Sequence, residues 1–374
     1  MRPVWVLLLA AVPALAGGAA PQAFRPALPG YSFHFPRDHA SHPEFQTEWW
    51  YYTGHLAAGA RRFGYELTFF RVGLDPVRRA QTSAWTRHTV LFAHLALTDE
   101  TGRRFLYEQR VSRPALGLAG ADTADYHVWV EDWSAGLAGD GRTHRLVGQG
   151  ASFALTLALT PDKPPVIHGE NGVSLKAAGA GHASHYVSLT RLATRGSVVL
   201  GGDTLAVTGV SWMDHEFGSN TLPAGESGWD WFSVQLDDGR ELMLYRLRRT
   251  DGSVEPLSSG TWIERDGHAT HLPLSAWNVT ARASWKSPHT GATYPARWTV
   301  RIPGRDLELE LTPVLADQEL VFGGPIGVVY WEGSVRVRGR EHERSVTGQG
   351  YVELTGYTGS RPGLDDLPPD AAGR

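Results

Sequence analysis

Leu155-Thr156-Leu157-Ala158-Leu159-Thr160-Pro161 returns later in the chain as Leu307-Glu308-Leu309-Glu310-Leu311-Thr312-Pro313. Alternate side chains of an extended chain point to opposite faces, so each copy puts its leucines on one side. The other side carries Thr156, Ala158 and Thr160 in the first copy and Glu308, Glu310 and Thr312 in the second. The leucine side therefore turns to an apolar interior, and the second copy's other side meets water. Two further stretches repeat in the same order. Val207-Thr208-Gly209-Val210-Ser211-Trp212-Met213-Asp214 returns as Val346-Thr347-Gly348-Gln349-Gly350-Tyr351-Val352-Glu353, and Leu67 to Arg71 matches Leu242 to Arg246. An aromatic cluster precedes each member of the last pair: Trp49-Trp50-Tyr51-Tyr52, then Trp229-Asp230-Trp231-Phe232. One Leu-x-Leu-x-Leu match is cheap. Three matches in one order indicate a duplicated unit whose loops differ in length.

Working outward, Leu91 to Leu97, Tyr126 to Val130 and Phe153 to Leu159 alternate with a period near two, and Gly102, Gly141, Gly172, Asp238-Gly239, Asp251-Gly252 and Asp266-Gly267 punctuate the chain. No stretch carries a helical stripe beyond one or two turns. The reading is an all-β protein of two tandem antiparallel barrels related by internal duplication, because such sheets must close or pair to protect their edges. A barrel of about eight strands has an interior that can hold a ligand. The division expected is a Pro-rich leader at 21–45, a first barrel at 46–216, a linker at 217–227, a second barrel at 228–358 and a Pro-, Gly- and Asp-rich disordered tail at 359–374.

Residues 1–20 read as a secretory signal: Arg2, the apolar run Val4 to Ala11, and the small-x-small site Ala14-Leu15-Ala16. The run is shorter than the roughly 20 residues a membrane span needs, so no integral segment is expected after cleavage. The expected location is periplasmic or secreted. The chain has no Cys, which excludes disulfides, thiolate metal sites, a Cys nucleophile and an acylated N-terminal Cys. A net charge of −4 over 374 residues offers no footprint for nucleic acid and no polybasic patch for anionic lipid. The 14 Trp point to aromatic-lined interiors or pockets, and the partner expected is an apolar small molecule.

Several motifs carry a family resemblance. They are Glu48-Trp49-Trp50-Tyr51-Tyr52-Thr53-Gly54 with Leu67 to Arg71, Trp212-Met213-Asp214-His215-Glu216-Phe217-Gly218, Gly228-Trp229-Asp230-Trp231-Phe232, and Tyr330-Trp331-Glu332-Gly333 with Gly350 to Tyr357. Between residues 31 and 358 the chain resembles the AttH-like, lipocalin-like family, which includes carotenoid 1,2-hydratase (hydroxyneurosporene synthase) and many secreted proteins labelled hydrolases. The resemblance implies two calycin-type, lipocalin-like barrels in tandem. Its motifs mark the superfamily rather than one activity, and none of the hydratases' catalytic residues is carried over.

The first constellation with chemistry in it is Trp212-Met213-Asp214-His215-Glu216. On a strand, Trp212, Asp214 and Glu216 share one face and His215 the other; at a strand end Asp214 and His215 can converge. A carboxylic acid kept protonated in an apolar pocket, and bonded to a His, can deliver a proton to an alkene carbon. Aromatic faces stabilise the resulting cation, and Trp212, Trp229, Trp231, Tyr330 and Trp331 are the candidates. The competing reading is that Asp214 and His215 brace the inter-barrel linker. Trp229-Asp230-Trp231 is either the lip of a pocket with Asp230 as polar handle, or a plug closing the second barrel. Trp49 and Trp50 are the counterpart in the first barrel, with Glu48 as a candidate acid, and there the plug is favoured because bulky residues fill small barrels.

The 16 His include His34, His39 and His42 in the leader and the pair His182 and His185, but no H-E-x-x-H occurs, so no metal is assigned and no cofactor is implied. No G-x-S-x-G supports a serine hydrolase, and Gly201-Gly202 and Gly323-Gly324 precede no helix that would cradle phosphate. Two functions remain: a carrier holding a large lipid or isoprenoid-like ligand, and a hydro-lyase adding water to a C=C bond. Export argues against a hydratase that meets its substrate at the inner membrane. A weaker third reading is an interaction module with solidly packed barrels and no ligand.

Overall fold

The computed structural model describes residues 24–74, 89–179, 181–218, 225–323 and 326–359. The signal at 1–20, most of the linker and nearly all of the tail lie outside them. The described residues form two antiparallel sheets, and no helix among them is long and apolar enough to cross a membrane.

The first sheet runs in the order β4 (Arg104–Ser112), β3 (Thr89–Asp99), β2 (Arg61–Gly73), β1 (Thr47–Ala58), β13 (Asp203–Gly218), β12 (Ala183–Leu200), β9 (Phe153–Pro161), β8 (His144–Gln149), β7 (Trp133–Leu137), β6 (His127–Val130) and β5 (Ala119–Ala121). The short β10 (Val166–Ile167) and β11 (Ser174–Leu175) pair with the N-terminal half of β12. The second sheet runs β17 (Ala269–Pro273), β16 (Ser259–Ile263), β15 (Glu241–Arg249), β14 (Glu226–Leu236), β23 (Arg344–Thr355), β22 (Val329–Glu341), β20 (Leu307–Pro313), β19 (Thr293–Ile302) and β18 (Asn278–Lys286), with β21 (Glu319–Val321) on β22.

In both sheets the strand that comes first in the chain pairs with the one that comes last, β1 with β13 and β14 with β23. Each order is open at the same place, between β4 and β5 and between β17 and β18. In the first sheet the curled ends approach, with Arg110 of β4 at 3.5 Å from Glu131 beyond β6.

Strand register supports the duplication. Pro161 faces Leu192, which faces Ser211; Pro313 faces Val335, which faces Gly350. The two leucine strands therefore occupy equivalent places, and Asp214 is the counterpart of Glu353. The third match is corrected by two residues. Trp49 faces Phe70 and Trp229 faces Leu247, so Leu67 corresponds to Leu244 and not to Leu242. A slip of two keeps every side chain on its face, so alternation alone does not detect it.

Leu155, Leu157 and Leu159 enter the first core, and Leu307, Leu309 and Leu311 the second, as their pattern requires. The interior of each sheet holds a continuous cluster of buried side chains, including Trp50 and Trp133 in the first and Trp262, Trp298 and Trp331 in the second. The expectation that the other motif tryptophans line these interiors is corrected. Met213 points into the first core, so its neighbours Trp212 and Asp214 must point out of it. Trp49, Trp212, Trp229 and Trp231 lie with Tyr51, Tyr186, Met243, Tyr245 and Tyr351 in a third cluster where the outer faces of the two sheets meet. Gly64 allows that approach: a Cβ there would stand 2.6 Å from the Tyr351 hydroxyl and 2.8 Å from the Ser334 Cβ.

Candidate active site

The seam between the sheets holds several buried acids, Asp214, Glu66 and Glu332 among them. Asp214 is 3% exposed. Trp212 Nε1 donates to its Oδ1 at 2.5 Å, Ser188 Oγ donates to the same oxygen, and Tyr186 donates to Oδ2 at 2.6 Å. Trp231 Nε1 in turn donates to the Tyr186 hydroxyl at 3.0 Å. Burial raises the Asp214 pKa to about 7, against the lowering by these three donors. The carboxyl therefore carries a proton for a large share of the time near neutral pH.

A relay leads to it. Thr261 Oγ1 lies 2.8 Å from Nδ1 of His168, and His168 Nε2 lies 2.6 Å from Ser188 Oγ. Burial holds His168 down at about 3, so the ring is neutral. With Ser188 donating to Asp214, the consistent tautomer donates from Nε2 and accepts at Nδ1. The aromatic wall is close: the rings of Tyr51 and Trp231 meet edge to face at 5.2 Å, and those of Trp212 and Trp231 at 6.2 Å. Trp49, Trp229 and Glu353 are partly exposed, which makes them the rim of the seam.

A second acidic group lies on the same seam. Tyr51 donates to Glu332 at 2.8 Å, Tyr330 donates to Glu66 at 3.1 Å, and Trp229 Nε1 donates to Glu353 at 2.8 Å. Burial raises Glu66 to about 7 and Glu353 to about 8, and Glu332 well above its ordinary value. Lys176, buried beneath Tyr245, pairs with Glu216 at 2.8 Å.

The structure brings together Asp214, Trp212, Trp229, Trp231, Tyr330 and Trp49 on the seam and separates the remaining candidates from it. His215 projects from the opposite face of β13, because that strand stays regular through Gly218. Its Nε2 lies 3.0 Å from Glu48 and its Nδ1 3.0 Å from the Asp38 carbonyl, so it is not a partner of Asp214. Trp50 is in the first core, donating to the His39 carbonyl, and Trp331 is in the second, donating to that of Ala316. Asp230 is buried among Arg246, Arg248 and Tyr357. Ser188, Tyr186, His168, Glu66, Glu332 and Glu353 were not singled out by the sequence as site residues. Glu353 had a signal, as the repeat counterpart of Asp214, and Glu332 lies inside the Tyr330-Trp331-Glu332-Gly333 motif. The others come from strands whose pairing the sequence does not announce.

Among the described residues one trio, His42, Glu48 and His215, brings possible metal-ligand atoms within 4.8 Å of one another. It reads as a clasp: Glu48 also accepts from Arg71 Nε at 2.8 Å and from Ser41 at 2.7 Å. Those bonds occupy its lone pairs and place a guanidinium where a metal would meet repulsion.

These groups set a pH dependence. The raised carboxyls hold protons longer in the folded state, so their contribution is full below the ordinary carboxylate range and is lost as pH climbs through about 7 to 8. His55, His94, His144 and His168 are all pushed by burial to about 3, so their contribution is full above their ordinary 6.5 and is lost on acidification. The two sets oppose each other below 6.5; above it the carboxyls act in the same direction as His42, where burial is outweighed by the bonds to Asp38 and Glu48 that raise its pKa. Melting temperature is expected to fall between about pH 6.5 and about pH 8.5, and Glu353→Gln to shrink that fall. A flat or rising profile across that interval refutes the assignment.

The AttH-like family profile matches residues 26–357. The chain belongs to the AttH-like family. A crystal structure of an AttH-type protein from Nitrosomonas europaea superposes on this AttH-like chain with a TM-score of 0.80 at 33% identity, covering 89% of this chain and 100% of that one. Kievitone hydratase from Nectria haematococca shares the fold, with a TM-score of 0.69 at 15% identity over 90% and 99% of the two chains. A curated kievitone hydratase from Fusarium solani subsp. phaseoli is 27% identical over 165 residues, 43% of this chain and 46% of that protein. The match thus spans under half of that relative's length.

Proposed function

We propose that this AttH-like protein is a hydratase that binds an isoprenoid-like apolar molecule at the seam between its sheets and adds water to a C=C bond. The observation that carries this is Asp214: a buried carboxyl that keeps a proton near neutral pH, walled by aromatic rings. Its O–H proton forms a C–H bond at the less substituted alkene carbon. The cation left on the other carbon is held by the faces of Trp212, Trp231 and Tyr51, each worth about 0.5–2 kcal/mol in a dry site. Water forms the new C–O bond and releases a proton, and the relay through Ser188, His168 and Thr261 offers a path for recharging Asp214. The hydratase names among its relatives support the reaction class. Filled barrel interiors favour the seam over the barrels as the ligand's place.

Incubating the protein in ¹⁸O-labelled water with kievitone and, separately, with a linear carotenoid is the test. A product heavier by one labelled water is expected from at least one of them. If neither gains water, and native mass spectrometry of protein from its own host shows no co-purified apolar molecule, both the hydratase and the carrier readings fall. On the character of residues 1–20, the proposed workplace is the periplasm or the exterior, and cell fractionation tests it.

A further inference from the structure

Glu66 and Glu332 are each 1% exposed, and each keeps one carboxyl oxygen, Oε2, buried and without a hydrogen-bond partner. A buried carboxyl oxygen left bare costs about 1–3 kcal/mol or more, so two of them in one place call for a ligand. They face each other across the seam. On β2, Gly64 lies against Ser334 and Glu66 accepts from Tyr330. Glu332 sits between Tyr330 and Ser334 on the same face of β22, opposite Glu66. Their other oxygens are fixed: Glu66 Oε1 accepts from Thr68 at 2.8 Å and from Tyr330 at 3.1 Å, and Glu332 Oε1 accepts from Tyr51 at 2.8 Å. No Lys, Arg or His ion pair to either is present among the described residues, so the pair is not neutralised by a cation. Two like carboxyls on one seam resist ionising together, so one can serve as an acceptor while the other keeps its proton.

We propose that Glu66 and Glu332 hold the water molecule that attacks the substrate and take up the proton it releases, making them a catalytic pair distinct from the acid Asp214. This rests on the hydratase reading above. Tyr51 sets the geometry, since its backbone faces Asp214 in the β1–β13 register while its hydroxyl is bonded to Glu332. Asp214 and Glu66 thus reach the seam from the first sheet and Glu332 from the second. The water's oxygen forms the C–O bond to the cation, one of its O–H bonds breaks, and that proton goes to the bare oxygen of the ionised member of the pair. A hydrogen-bonded chain holds Tyr330 in place beside the pair: Gln109 Nε2 donates to His94 at 3.0 Å, and His94 Nδ1 lies 2.7 Å from the Tyr330 hydroxyl.

The experiment uses Glu332→Gln and, as a second variant, Glu66→Gln in the full chain, with the probe the wild type hydrates, in D₂O. Hydration is expected to fall about 100-fold or more in each. Asp214 still protonates the alkene, so unreacted probe is expected to acquire carbon-bound deuterium as the uncaptured cation loses a proton again. Asp214→Asn is expected to show neither product nor deuterium. Hydration by both Gln variants at the wild-type rate overturns the pair while leaving the hydratase reading intact. Loss of hydration without deuterium uptake in both also overturns it, because the pair would then be needed for protonation itself. No hydration by the wild type overturns both readings.

Discussion

Asp214→Asn is expected to reduce turnover by about 100- to 10,000-fold, the usual contribution of a positioned general acid, with ligand affinity unchanged. Asn keeps an oxygen for the Trp212 and Ser188 donors but cannot supply a proton to carbon. Its amide would meet the Tyr186 hydroxyl, which can turn to accept, since Tyr186 is already an acceptor for Trp231. Melting temperature is therefore expected to stay near the wild-type value, and to match or exceed it in alkaline buffer, where the wild type carries an ionised and buried Asp214. The repeat provides an internal control. Glu353 occupies the equivalent position in the second sheet, but it is partly exposed and accepts from Trp229 with no Ser or Tyr partner like those of Asp214. Glu353→Gln is expected to leave most of the turnover. Steady-state kinetics beside thermal melts decide the matter: if Asp214→Asn loses stability in step with activity, Asp214 is a brace between the sheets and not an acid.

The contrast between Asp214 and Glu353 also shows what could be read from the residues alone. Leu-x-Leu-x-Leu disclosed the strands, their inner faces and the duplication, because one face of those strands is polar and alternation has something to mark. β1 and β13 gave no such mark. Apart from the half-buried Trp49, Glu48 to Tyr52 and Trp212 to Phe217 are buried on both faces, one of them against the other sheet. A strand covered on both sides reads as an unbroken apolar run, so its sequence does not say which face is inner. That ambiguity put Trp212, Trp229 and Trp231 inside barrels in the sequence reading and allowed Asp214 and His215 to converge. The unbroken run was itself a signal: aromatic residues on both faces of one strand mean two covered faces, and hence a second sheet outside the first. Ser188, His168 and Glu66 were beyond reach for another reason. A lone Ser, His or Glu in a β-pattern acquires meaning only from a partner strand, and pairing between Val166–Ile167 and β12, or contact of β2 with β22, is long-range information.

Arg71→Ala is expected to destabilise the protein by about 3–5 kcal/mol and to open the leader to proteolysis. Glu48 is wholly buried on the face opposite the seam, and burial opposes its charge. Arg71, with His215 and His42, outweighs that and holds its pKa well below the ordinary range. Arg71 also donates to the His42 and Phe45 carbonyls at 3.0 and 2.9 Å, and His42 donates its backbone N–H to Glu48. One guanidinium therefore ties residues 42–45 to β1 and β2. Removing it leaves a buried carboxylate short of its main counter-charge and takes the Arg71 donor from the Phe45 carbonyl, while the His42 carbonyl keeps the Phe45 N–H at 3.0 Å. Exposed pairs carry far less. Arg301 and Glu308 meet at 2.6 Å on the polar face of the second leucine strand, yet both are half exposed, so Arg301→Ala is expected to cost less than about 1 kcal/mol. Urea melts of the two variants should separate by several-fold in stability loss, and limited proteolysis should cut Arg71→Ala first within residues 24–46. The double variant Glu48→Gln/Arg71→Met should lose less than the sum of its single changes, because no bare charge is left behind. Additive losses would mean that the two side chains act independently, and the leader would then be held by the packing of Phe45 and Ala27 against Phe217 rather than by the clasp.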